Sequence, residues 1–352
     1  MKKILSVIIM IATIVSLASC GAGYEPVKST DEEARTVITL KYENCEYDVK
    51  YELYRALFLS HCAELDGGDR SVWSAEGKDE LIAKMNEYII SSAARIYGTL
   101  HLADSLGIDP YSSEFDKAVD DSVKDGINSA GSYEKYLAML HKMNLNYSVQ
   151  ELMIRYSTAL EKLDEYYNGV HDDALGNVGG KIEVTKEKVE EYYFGDDCTR
   201  VISVYLQANA FTKERAEHIR AEIATKSSAS EVSSYAIQYT TSSYEDVMDG
   251  VVVGRYGSND AYDTYTAAAF SLNSGDVSEL IEINTGYDHG YYILYGIDKS
   301  ETHFDKQYDL IKDSYVSNES GKKLNAPVGA LKESAVLAPA YYEIVHAAIT
   351  MD

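Results

Sequence analysis

Two serines and a histidine are the first groups to weigh. Ser203, Ser242 and His289 are the residue types that make a nucleophile and its general base. Neither serine stands in the Gly-x-Ser-x-Gly elbow that exposes a hydrolase nucleophile. His289 follows Tyr287-Asp288 and precedes Gly290, and an exposed turn histidine is the better account of it. Asp246, Asp249, Asp260 and Asp263 raise the question of calcium, but no Asp-x-Asp-x-Asp-Gly loop with a distal glutamate surrounds them, so they read as a solvated acidic loop. Of four cysteines, Cys45, Cys62 and Cys198 remain once Cys20 is set aside, an odd number that makes no disulfide framework. With no CxxC and no His-rich cluster, neither a metal nor a cofactor is expected.

Cys20 has the most definite chemistry. Lys2 and Lys3 precede an apolar run from Ile4 to Leu17, which is too short to span the roughly 30 Å hydrocarbon core as a stable helix. It ends in Leu17-Ala18-Ser19-Cys20-Gly21, the form of a lipobox, where small residues admit a peptidase and the thiol takes a diacylglycerol. Residues 1–19 are therefore expected to be a signal peptide, and 20–35 a lipidated cysteine with a polar tether. Acylation contributes about 0.8 kcal/mol per buried methylene, so a multi-chain anchor holds at a membrane. The rest of the chain is expected outside the cytoplasm, lipid-anchored to a bacterial cell membrane.

The elements that must position any site follow from periodicity. The 352 residues are enough for two or three domains, and 45% hydrophobic content fits a folded chain. A net charge of −25 repels nucleic acid, which is excluded as a partner. Tyrosine outnumbers phenylalanine 31 to 6, which could furnish amphipathic clefts or half-buried helix faces.

Residues 36–180 read as helical. Val37-Ile38-Thr39-Leu40 is β-prone, and a helix with Val49, Leu53 and Leu57 on one face is expected after the turn at Glu43-Asn44. A long helix is predicted over about 78–106, with Ile82, Met85, Ile89, Ala93, Ile96, Leu100 and Ala103 in steps of three and four. Helices over 113–127 and 133–143 follow, and Ser148-Val149-Gln150-Glu151 reads as a capping box opening another to about Tyr167. The Gly- and Asp-rich stretch 168–180 marks a boundary. Over 181–300 the pattern becomes β-α-α-β-α-β: a strand with Ile202, Val204 and Leu206 on one face, a helix with Ala216, Ile219 and Ile223 aligned, a β-run at Val251-Val252-Val253 and a last strand from Tyr291. Residues 301–352 are expected to hold a helix and a tail that packs on the helical domain.

These motifs together resemble the PrsA/SurA-type foldases, extracytoplasmic chaperones that carry a parvulin peptidyl-prolyl isomerase domain. Leu81–Gly107 followed by Ile108-Asp109 is similar to the family's long helix and its exit. Ala236-x-x-Tyr239-Thr240 is similar to its "A-x-x-Y-S". The strongest likeness is Ala268-Ala269-Phe270-Ser271-Leu272-Asn273-Ser274-Gly275-Asp276-Val277-Ser278, against "A-x-F-x-L-x-x-G-E-V-S". The resemblance implies an α+β chain, a helical SurA-N-like domain plus a small parvulin-like domain with an antiparallel sheet and surrounding helices.

The family's catalytic positions fall on Ser203, Ser242 and Tyr292, where active parvulins place histidine, cysteine or aspartate, and histidine. Its proline pocket falls on Val253, Ala261, Tyr265 and Phe270. Prolyl isomerisation breaks no covalent bond and needs only tighter binding of the twisted amide, against a barrier near 20 kcal/mol. Losing both histidines therefore weakens catalysis without forbidding it. The resemblance implies a membrane-anchored chaperone that binds unfolded, newly exported polypeptides through a weak or inactive parvulin domain. The alternative is a working isomerase with altered catalytic residues.

Overall fold

The structure is a computed structural model that describes residues 24, 26–172, 176–256, 262–284 and 289–351. Cys20, Asp260, Ala261 and the Tyr287-Asp288 dipeptide lie outside the described residues. The chain is α+β and the contacts of its described residues divide it into two units: residues 24–164 together with 324 onward, and Glu165–Lys323.

In the first unit, Thr36–Tyr42 (β1) and Cys45–Lys50 (β2) pair antiparallel through a turn where Glu43 takes φ 52°. The sequence reading placed Val49 on a helix, and this is corrected: Val49 lies in β2 opposite Ile38, and α1 begins only at Tyr51 and runs to Asp66. Residues 45–50 carry no strong local preference, and the hydrogen bonds offered by β1 decide the outcome. Lys78–Ser105 (α2) buries the expected stripe from Met85 to Ala103. Ser113–Ala130 (α3) and Tyr133–Lys142 (α4) pack Val119 and Val123 against Tyr136 and Leu140.

Tyr147–Asn168 (α5) follows, but its cap is not Ser148. The Val149 amide donates to Asn146 Oδ1 at 2.9 Å, and the Ser148 hydroxyl instead accepts from Ser29 at 3.0 Å. The first helical bond, Gln150 N–H to Asn146 C=O, sets the start two residues earlier than the capping-box pattern suggested.

The second unit opens with the short antiparallel pair Val170–Asp172 (β3) and Gly176–Val178 (β4). Thr185 caps Lys186–Phe194 (α6) through the Lys188 amide. Then come Cys198–Gln207 (β5), Lys213–Ala224 (α7), Ala229–Ala236 (α8), Tyr244–Met248 (α9), Val251–Gly254 (β6), Asp263–Ser271 (α10), Ile281–Asn284 (β7) and His289–Gly296 (β8). The four long-range strands form one antiparallel sheet in the order β6-β5-β8-β7.

Alternation along β5 sorts the two faces. Ile202, Val204 and Leu206 face α7, α8 and α9, packing on Ala216, Ile219, Ile223 and Val232. Val201 faces the other way, with Val253, Leu294 and Ala269 of α10. β7 is absent from the sequence reading because Ile281-Glu282-Ile283-Asn284 offers only two alternating pairs.

Glu301–Lys306 (α11) and the part of Tyr308–Glu333 (α12) up to Lys323 complete the unit, where Phe304, Ile311 and Tyr315 bury against Val189, Tyr192 and Tyr193 of α6. From Leu324, within α12, the chain belongs to the first unit, and Val336–Leu337 (β9) pairs with β1. His346, in a short helical turn, sits among Tyr54, Phe58, Trp73 and Tyr341, its Nε2 2.9 Å from the Tyr54 hydroxyl. Among the described residues, no helix is long and apolar enough to cross a membrane.

Candidate functional site

The face of the sheet beneath α10 gathers most of the residues singled out from the sequence. Strand parity puts Ser203 and Tyr205 of β5 on this face, opposite Leu294 and Tyr292 of β8. Tyr205 and Tyr292 stack, with ring centroids 4.6 Å apart and planes at 28°. Tyr265 of α10 meets Tyr292 edge-on at 5.2 Å, and Tyr262 lies 6.4 Å from both Tyr265 and Tyr292. Each such ring pair contributes roughly 0.5–1.5 kcal/mol beyond its buried area, so the four tyrosines form a fixed platform. A glycine makes room for it. A Cβ at Gly290 would stand 2.3 Å from the Tyr205 ring, so a larger residue there would push that ring off the sheet.

Ser203 is buried at 5% exposure beside the Tyr265 hydroxyl. Desolvation pushes that phenol up to about 12; the Ser203 hydroxyl opposes the rise and the nearby Asp246 carboxylate adds to it. Tyr265 thus stays a neutral phenol at every physiological pH. Val253 and Phe270 pack in the same cluster, though one face of the Phe270 ring is occupied by the Arg255 guanidinium at 4.1 Å.

Ser242 does not join this group. Its hydroxyl accepts from the Tyr205 backbone amide at 3.2 Å, alongside Thr240 Oγ1 at 3.1 Å, while the Thr241 amide donates to the Tyr205 carbonyl at 2.9 Å. β6 pairs with β5 only between Cys198 and Val201, so residues 240–242 serve as the missing strand beside Tyr205. Ser242 therefore holds main chain, and any effect on the platform passes through Tyr205.

His289 is a correction. It lies in β8 itself, opposite Asn284, and not in the preceding turn. Its ring is 6.2 Å from Tyr291 and its Nε2 3.3 Å from Glu282, which places it on the face opposite Tyr292. No histidine or cysteine is among the described residues that line the concavity beside Tyr265. Cys198 faces α6 and α11, where burial pushes its thiol up to about 12. Asp249 is not a calcium ligand in waiting, since Lys306 and Gln307 hold its carboxylate and keep it below the usual range.

A concavity of about 240 Å³ opens beside the platform, lined by β6, Tyr262, Tyr265 and Thr266, with Ser314 and Ser317 of α12. Tyr205 and Tyr262 were legible in principle, the first by its two-residue offset from Ser203. Ser314 and Ser317 were not, because nothing near residue 314 signals a partner sixty residues upstream.

No protein-family model matches the chain, and no curated protein does. Solved structures of PrsA foldases are similar to it. PrsA from Bacillus subtilis is 18% identical, with 73% of this chain and 87% of that chain covered and a TM-score of 0.26. The foldase protein PrsA from Streptococcus pneumoniae is 16% identical, covering 77% and 91%, with a TM-score of 0.26. Peptidylprolyl isomerase (PrsA) from Bacillus cereus is 15% identical, covering 72% and 83%, with a TM-score of 0.25. At these scores no residues are equated with theirs, and the site rests on the chain's own geometry.

Proposed function

We propose that the chain is an extracytoplasmic chaperone, tethered to a bacterial membrane by a lipid on Cys20, that holds unfolded, newly exported polypeptides. Its sheet unit acts as a binding module with weak or no isomerase activity. The observation that carries this reading is the tyrosine platform of Tyr205, Tyr262, Tyr265 and Tyr292. Tyrosine gives a large, rigid contact surface at low entropic cost, suited to many side chains. The buried Ser203–Tyr265 pair supplies neutral hydrogen bonding and no proton transfer near pH 7.

Aggregation of a reduced, alkylated protein, followed by light scattering, tests the reading. The wild-type chain is expected to suppress aggregation at near-stoichiometric ratios. Tyr265→Ala with Tyr292→Ala is expected to weaken suppression about tenfold while the helical content stays unchanged. Full suppression by the double variant would remove the platform from the account.

A further inference from the structure

The edge of the sheet beside the platform carries unpaired main chain. Arg255 N–H donates to Asp197 C=O, which makes Arg255 and Asp197 a hydrogen-bonded antiparallel pair. Counting back along the register, Val253 with Thr199 and Val251 with Val201 are pairs of the same kind. Val252 and Gly254 therefore turn their N–H and C=O groups away from β5, toward the outer edge of the sheet, where β6 has no neighbouring strand. Among the described residues no hydrogen bond from another side chain or strand reaches them.

What lies along that edge is α12. The next outward amide, Tyr256 N–H, is taken by Asn318 Oδ1 at 3.0 Å. The Asn318 carboxamide thus continues the line of the sheet edge as one peptide group of a neighbouring strand would. Asn318 has no exposed surface, and among the described residues its Nδ2 finds no partner. Between α12 and β6, Ser314 and Ser317 line the concavity of about 240 Å³. Gly254 keeps this edge low, since a Cβ there would meet the Tyr192 hydroxyl at 2.7 Å.

We infer that this cleft binds an extended polypeptide backbone as an added strand on β6, whose N–H and C=O groups pair with the outward C=O and N–H groups of Val252 and Gly254. The ligand class is main chain in β conformation, whatever its side chains and with no requirement for proline. This rests on the chaperone reading and specifies how that site recognises its clients. Strand addition gives affinity through backbone hydrogen bonds that every unfolded chain can offer. The adjacent tyrosines then take the side chains that such a strand projects toward α10.

The test uses fluorescence anisotropy with the full chain in mild detergent and a dye-labelled, proline-free nonapeptide of alternating Val and Thr. Two derivatives are N-methylated on odd or on even residues. Binding of the parent peptide is expected, with one methylation phase weakening it at least tenfold and the other leaving it within twofold. Val252→Pro, which removes an outward N–H at a sheet edge, is expected to weaken binding severalfold or more. Equal tolerance of both methylation phases together with unaltered binding by Val252→Pro overturns strand addition. If Tyr265→Ala still abolishes binding in that case, the chaperone reading stands without it. Absence of any peptide binding overturns the inference too, and suppression of client aggregation then decides whether the chaperone reading falls with it.

Discussion

Replacing Trp73 by alanine is expected to lower the stability of the unit that carries it by about 3–5 kcal/mol, the cost of emptying a large buried aromatic site. Trp73 is 1% exposed and packs on Phe58 at 4.8 Å and on His346 at 6.5 Å. Its Nε1 donates to Asp66 Oδ2 at 2.7 Å, and the other oxygen of that buried carboxylate accepts from the Gly68 amide at 2.7 Å. Alanine thus leaves both a cavity and a buried carboxylate short of a donor. Phenylalanine separates the two contributions, since it keeps most of the packing and loses only the donor, for about 1–3 kcal/mol. Urea midpoints with an unchanged m-value give both numbers. A loss below about 1 kcal/mol for Trp73→Ala would contradict the placement of this ring at the centre of the α1 core.

Acid is expected to destabilise both units, each through one buried histidine. His346 is held down to about 4 by desolvation, with the field of Lys78 adding to it, among Tyr54, Phe58, Trp73 and Tyr341. His303 is likewise held to about 4 by desolvation and by the Arg200 charge, while Asp249 opposes and Lys306 assists. It stacks on Tyr193 and shares a 2.9 Å hydrogen bond with that hydroxyl.

In the unfolded chain both titrate near their ordinary value, about 6.5, so between pH 6.5 and 4 the unfolded state binds more protons. Stability falls with pH across that window at about 1.4 kcal/mol per unit for each histidine. At pH 4.5 the loss is about 2.5 kcal/mol per histidine relative to neutral pH. Glu33 acts in a lower window. Burial alone would raise it, but the Thr30 amide and Arg55 outweigh burial and hold it to about 2, so its share is lost only as pH drops below about 4.5. Urea midpoints at pH 7.5 and 5, with His346→Phe and His303→Phe as controls, check the assignment. Each control is expected to flatten the pH dependence, and an unchanged slope in both would contradict it.

The sequence was most legible where one surface sets the pattern. The steps from Met85 to Ala103 report a single buried face of α2, and Ile202, Val204 and Leu206 report one face of β5. It was least legible where the partner lies far away in the chain. Residues 45–50 become a strand because β1 pairs with them. Ser148 loses its cap role because Ser29, more than a hundred residues away, takes its hydroxyl.

The site divides in the same way. Ser203 and Tyr292 share a face by strand parity once the strands are placed, and the structure sets Tyr265 against both. Ser242 looked equivalent by motif spacing, yet it bonds the Tyr205 main chain, since an interrupted edge beside β5 leaves that amide to be satisfied. His289 is misplaced from sequence because β8 begins at His289, two residues before the apolar run that starts at Tyr291, through its pairing with Asn284 of β7. The outward edge of β6 and its neighbour Asn318 had no sequence signature at all.

The measurement that bears most directly on the chaperone reading is cis/trans exchange in an Ala-Pro peptide, followed by NMR in the presence of the chain lacking residues 1–20. The tyrosine platform, with its neutral Ser203–Tyr265 pair, predicts exchange at the uncatalysed rate, tens of seconds or slower, from a protein that still suppresses client aggregation. Accelerated exchange that disappears with Tyr265→Phe and Tyr292→Phe would contradict it, and would make the same face an isomerase active site built from phenols.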